Sequence, residues 1–176
     1  RLDRQAAELL AQAIQQAKTL GDDRARSYAL GNLGHLYEQQ EQWLDAQELT
    51  EQALILAQAN RAADIAYQWQ WQLGRISQVN GDRSSAILAY SQAVETLQAI
   101  RGDLVAISSD AQFSFRERVE PVYREFVSLL MQPGVEVTQA DLSTARKTIE
   151  SLQLAELDNF FRDACLDAKP AQIDAI

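Results

Sequence analysis

Cysteine is nearly missing from this chain of 176 residues, which has only Cys165. A single thiol excludes an internal disulfide and fits a reducing compartment. Histidine is as scarce, with His35 alone, so no His and Cys cluster with metal-ligand spacing can be assembled. Proline (3) and glycine (7) are few. Ala, Leu, Gln and Glu recur instead, and straight side chains of this kind lose little rotamer freedom in a helix. No apolar run approaches the roughly 20 residues of a membrane span. No cluster of Lys and Arg is present of the kind that displaces counterions from nucleic-acid phosphates. The net charge is −9 and the sequence pI about 4.6, a balance that anionic membranes repel. Gly102 lacks the further glycines and the Lys of a phosphate loop. Asp22-Asp23 lacks a Gly-spaced ligand loop and reads as a polar turn. These absences predict a soluble, cytoplasmic protein with no metal or cofactor and no nucleic-acid or membrane partner. The sequence opens directly in an amphipathic helix, Arg1-Leu2-Asp3-Arg4, without initiator Met or signal peptide. It reads as a piece of a longer protein.

What the chain does contain is a repeat. Leu33-Gly34, Ala46 and Ala53 recur as Leu73-Gly74, Ala86 and Ala93, each pair 40 residues apart. The same step backwards lands on Ala6 and Ala13, a further copy represented only by its second helix. Small residues at such places let two helices of a hairpin cross closely, within the usual ~8–10 Å between axes. Leu30, Leu33 and Tyr37 share one helical face, and Leu49, Ala53, Leu56 and Ala57 another. Asn80-Gly81-Asp82 is a turn that accepts positive φ, and Gln40-Glu41-Gln42 stands in its place in the first copy. The pattern predicts helices near 3–20, 25–40, 43–60, 63–79 and 83–100, which bury a shared core by stacking.

The Leu-Gly pair, an aromatic, then Ala, aromatic and Ala resemble the tetratricopeptide (TPR) family. The first copy supplies Leu33, Gly34, Tyr37, Ala46 and Ala53, with Thr50 in place of the second aromatic. The second supplies Leu73, Gly74, Ala86, Tyr90 and Ala93, with Ser77 in place of the first. The family's period is ~34 residues, so a 40-residue period implies longer helices. The expected fold is all-α, a right-handed α-α superhelix of antiparallel hairpins, with TPR-like repeats over residues 1–102.

Beyond Gly102 the register breaks. Residues 103–112 read as a loop, and Ser114 with Glu117 as a capping box for the next helix. Pro121 demands a kink, or a helix start near Glu120. Pro133-Gly134 ends that helix, and Thr138 with Asp141 caps another. Leu142, Ala145, Ile149, Leu152, Leu157, Phe160 and Phe161 give it an apolar face. Residues 103–168 thus form a divergent hairpin expected to pack on the array, and 169–176 a tail or linker. The stretches "FSFRERVEPVYREFVSLL" and "ARKTIESLQLAELDNFFRDACL" resemble the segment that precedes the caspase-like peptidase domain of CHAT-domain proteins. That resemblance spans residues 103–166. It implies a part in controlling or targeting a peptidase, and it carries over no catalytic residue.

The TPR resemblance implies a concave groove lined by the first helix of each repeat. Tyr28, Gly31, Asn32, His35 and Gln39 make one stripe, and Gln68, Trp71, Gln72, Arg75 and Val79 another, 40 residues on. The candidate protein- or peptide-binding residues are Tyr28, Asn32, His35, Gln39, Gln68, Trp71, Gln72 and Arg75. Asn32 and Gln72 can bond both N–H and C=O of an extended peptide, Arg75 can clamp a carboxylate, and Tyr28 and Trp71 offer flat apolar area. Trp69, two residues from Trp71, points toward the core. The leading expectation is a non-catalytic interaction scaffold that holds a protein or peptide partner, or an attached domain of the same chain. The alternatives are a structural spacer or self-association module, with homodimers through exposed repeat faces, and a cysteine hydrolase. The last would need His35 and Cys165, from opposite ends of the array, to meet.

Overall fold

Each linker in the first half of the molecule closes its helix in the same way, with a left-handed residue that recurs every 20 residues. A computed structural model describes the backbone of residues 2–107 and 115–167, and the side chains of residues 4–100, 117–158 and 160. All regular structure among the described residues is helical. The elements are α1 (Leu2–Leu20), α2 (Asp23–Gln39), α3 (Trp43–Ala59), α4 (Ala63–Val79), α5 (Arg83–Ile107), α6 (Phe115–Arg118), α7 (Glu120–Leu130) and α8 (Gln139–Asp167). Gly21, Glu41, Arg61 and Gly81 all take positive φ, at 69°, 59°, 53° and 78°. After each of them the next amide bonds back into the last helical turn: Asp22 to Ala17, Gln42 to Tyr37, Ala62 to Ala57 and Asp82 to Ser77, at 2.9–3.0 Å. This is the Schellman closure, in which one left-handed residue satisfies the last carbonyls of a helix. Two of the four positions carry glycine. At the other two, Glu41 and Arg61 hold a conformation that L side chains disfavour.

The chain divides into two units, Arg1–Ile100 and Arg101–Ile176, with the boundary inside α5. In the first unit α1 packs on α2, α2 on α3, α3 on α4, and α2 touches α4. The small residues of the repeat are the crossing points. Ala46, Ala53, Ala86 and Ala93 are fully buried. A Cβ at Gly34 would come within 2.7 Å of the Thr50 Oγ1, and one at Gly74 within 2.7 Å of the Tyr90 ring. Leu30, Ala53, Ala57, Ala62, Ile65, Ala66 and Trp69 form a continuous core across α2, α3 and α4. The consecutive packing is that of a helical-repeat solenoid. In α1 the matching small residues lack such cover: Ala6 is half-buried and Ala13 exposed.

The second unit corrects two expectations. Residues 103–107, read as loop, continue α5, since a single interior glycine such as Gly102 costs a helix only about 1 kcal/mol. The remainder of that loop, Ser114 and the 169–176 tail lie outside the described residues. On α8 the covered stripe is Ala145, Thr148, Leu152 and Ala155, whereas Leu142, Leu157 and Phe160 are exposed. Ala145 and Leu152 of the expected face are thus covered, while Leu142, Leu157 and Phe160 lie to one side of the covered stripe, and the Phe161 side chain lies outside the described residues. Against the covered stripe α7 packs, burying Val122, Tyr123, Phe126, Leu129 and Leu130. Helix α7 starts at Glu120 with Pro121 in its first turn, where no amide proton is needed. The Thr138 hydroxyl accepts from the Asp141 amide at 3.1 Å, and the Asp141 carboxylate accepts from the Thr138 amide at 3.0 Å. This reciprocal cap starts α8.

Candidate functional site

Helices α2 and α4 lie side by side, and two ion pairs join them at opposite ends. Near their N-termini the Arg24 guanidinium grips the Asp64 carboxylate with both Nη atoms, Nη1 to Oδ1 at 3.1 Å. The hydrogen bond to Asp64 raises the Arg24 pKa further above its already high value. Near their C-termini Arg75 donates to Glu38 from Nε at 2.7 Å and from Nη2 at 2.8 Å. The same carboxylate meets His35 Nδ1 at 2.9 Å. Burial by itself pushes the Glu38 carboxyl up, but the hydrogen bonds from Arg75 and His35 outweigh it, and its pKa is lowered. The Arg75 guanidinium also stacks on Trp71, 4.5 Å from the ring centroid.

Between the pairs lie two polar knots that hold three helices each. In one, the Ser27 hydroxyl donates to the Ala53 carbonyl at 2.7 Å and accepts from the Trp69 indole at 3.1 Å. In the other, the Gln72 amide nitrogen donates to Thr50 Oγ1 at 2.6 Å and to the Gly31 carbonyl at 3.2 Å, while Thr50 donates to Ala46 at 2.6 Å. Both knots are buried, so each bond is made where an unpaired partner would be costly.

This geometry sorts the candidate residues. Tyr28, His35 and Gln39 are exposed, and Asn32, Gln68, Trp71 and Arg75 half-buried. Two assignments are corrected. Gln72 is 3% exposed and offers nothing to a partner. Although it is 40 residues from Asn32, α4 packs against both α2 and α3, so this amide is enclosed. Arg75 is not an open clamp, because the carboxylate it grips belongs to Glu38 on the neighbouring helix. Gly31, placed on the groove stripe from its spacing, is buried too. A Cβ there would overlap the Trp69 ring, so this glycine is the seat of that indole. Trp69 is itself 3% exposed, with Tyr28 tilted against it at 6.2 Å between centroids.

The ion pairs and knots escaped the sequence reading. Arg24 and Asp64 stand 40 residues apart, so opposite charges at the repeat distance were the available signal. Glu38 and Arg75 have no such register. Among the described residues, no group of three or more His, Cys, Asp or Glu could hold a metal ion, and no helix is long and apolar enough to cross a membrane. The Cys165 side chain lies outside the described residues.

No family model matches the chain, and no curated protein sequence does. Among solved structures it is similar to BtubC (BKLC) from P. vanneervenii, with a TM-score of 0.52 and 17% identity over 99% of this chain and 78% of that one. At that identity the likeness is one of fold.

Proposed function

We propose that the chain is a non-catalytic protein-interaction scaffold that holds its partner on the α2/α4 face. The observation that carries this is an exposed aromatic on α2 and a half-buried one on the neighbouring α4, two helices braced by ion pairs. Tyr28 is 48% exposed, and Trp71 is held by the Arg75 that Glu38 fixes. Rigid aromatics with polar surroundings are the commonest anchors of protein interfaces, and helical repeats present such walls along their length. The partner is a protein, a peptide or an attached domain of the same chain, in the cytoplasm. The resemblance of residues 33–93 to TPR repeats and of 103–166 to the segment before a CHAT peptidase domain supports placing the chain in a larger CHAT-type protein.

The test is affinity capture and mass spectrometry with the parent chain and with Tyr28→Ala and Trp71→Ala, each checked for unchanged helicity. Partners retained by the parent should be lost by both variants. If every captured protein stays with both, the face is not the binding surface. Arg75→Glu is a poor probe, because it would set two carboxylates against each other at Glu38.

Self-association is favoured by a separate observation. Ala13 of α1 is exposed, whereas Ala53 and Ala93 in the same register are fully buried beneath helices. Light scattering across concentration tests this. A dimer abolished by Ala13→Glu supports it, and a monomer at every concentration removes it.

A further inference from the structure

The surface proposed above has a feature that defines what it can hold: it has almost no charge. In a chain that is 23% charged with net −9, residues 27–37 of α2 contain no Asp, Glu, Lys or Arg, and neither do residues 65–74 of α4. At its ends Arg24 pairs with Asp64 and Arg75 with Glu38 across the two helices, whereas Arg26, directly before the uncharged run of α2, has a buried Nε without a hydrogen bond. The acidic excess lies elsewhere. Helix α3, for example, carries Asp45, Glu48 and Glu51 and no basic residue. Attraction between formal charges therefore has little hold here, while the surrounding surface repels acidic segments.

The strip still has hydrogen-bonding groups, and their orientation is set. Asn32 Nδ2 donates to the Tyr28 carbonyl at 2.7 Å, and Gln68 Nε2 donates to the Asp64 carbonyl at 3.0 Å. Each side-chain amide thus turns its nitrogen to its own helix and its carbonyl oxygen away. An oxygen so placed accepts from an N–H donor. The backbone amides of an extended peptide are such donors and are uncharged. Tyr28 on α2 and Trp71 on α4 each supply flat area for an apolar side chain.

We infer that the α2/α4 face takes an extended, electrically neutral peptide segment with an aromatic or aliphatic anchor, held by acceptance of its backbone N–H groups at Asn32 and Gln68. This rests on the reading of the face as the binding surface and adds the chemistry of the partner. Since no formal charge is matched across the contact, affinity should change less than about twofold between about 50 mM and about 500 mM NaCl.

A displayed dodecapeptide library, panned on the chain and counter-selected on Trp71→Ala, tests it. The expected winners carry near-zero net charge and an apolar centre. They bind at both salt concentrations and lose at least about tenfold in affinity on Tyr28→Ala as well as on Trp71→Ala. Winners that depend on Tyr28 and Trp71 but are acidic or basic, with about tenfold or more lost at high salt, would overturn the inference and leave the binding face standing. No peptide dependent on either aromatic, with both variants melting like the parent, would remove the face and the inference together.

Discussion

The four linkers of the first unit allow a turn to be repaired by copying its neighbour. Gly81-Asp82 pairs a left-handed residue without a Cβ with an Asp whose carboxylate accepts from the Ser85 amide at 3.0 Å. Glu41-Gln42 occupies the equivalent place in the preceding hairpin with neither advantage. Glu41 has φ 59°, and Gln42 makes no side-chain cap although its φ and ψ, −88° and 69°, nearly match the −89° and 84° of the capping Asp22. The perturbation is Glu41→Gly with Gln42→Asp. Relieving a left-handed L residue returns about 1–2 kcal/mol, of which the extra freedom of glycine in the unfolded chain takes back roughly 0.5–1. A new cap adds about 0.5–1 kcal/mol. The sum, about 1–2 kcal/mol, should raise the melting temperature of a 100-residue unit by roughly 5–10 °C. Circular dichroism at 222 nm reads it. Gly81→Ala is the mirror control. Its Cβ would meet nothing within 4 Å, so any loss there is conformational alone. A double variant that melts no higher than the parent, with Gly81→Ala also neutral, would refute the turn argument.

Gly31→Ala should be the most damaging single-methyl addition in the first unit, costing about 3 kcal/mol, because Trp69 fills the space over that glycine. Displacement of the indole from Ser27 would red-shift its fluorescence, and an unshifted spectrum with unchanged stability would contradict the packing. Acid should loosen the α2/α4 bridge. Since the folded Glu38 pKa lies below its ordinary value, its contribution is fully present above about pH 4.5 and lost as pH falls through the lowered folded value. Urea midpoints of the parent and Glu38→Gln should therefore differ at about pH 6 and converge toward about pH 3, and a constant gap would argue against the pair.

The repeat was legible because its crossing residues are small and recur in register, so Gly34 and Gly74 mark the same place in two hairpins. The 20-residue spacing of the turns was only half legible. Glycine announces a left-handed residue at 21 and 81, while Glu41 and Arg61 adopt it because the closure needs it, whatever the side chain. The candidate site shows the limit of register. A 40-residue step equates Asn32 with Gln72, yet packing encloses one and leaves the other open. Composition likewise presents Arg75 as an available cation, and only the placement of Glu38 across the helix boundary reveals that it is already engaged. Trp69 and Trp71, two residues apart on a helix, were separable because that spacing turns them to different sides.

The buried knots make the hairpins non-interchangeable. A tandem copy of residues 21–60 inserted after Asn60 would preserve the 40-residue period, the turns and the Leu-Gly crossings, yet it would set Ala29 where Trp69 now covers Gly31. The hollow left behind resembles a Trp-to-Ala truncation, with a penalty of about 3–5 kcal/mol, and Asn32 in the place of Gln72 would be a methylene short of Thr50. This stretch of the molecule therefore has a fixed order of parts, and lengthening it by unequal crossover would require compensating changes in the interior at the same time.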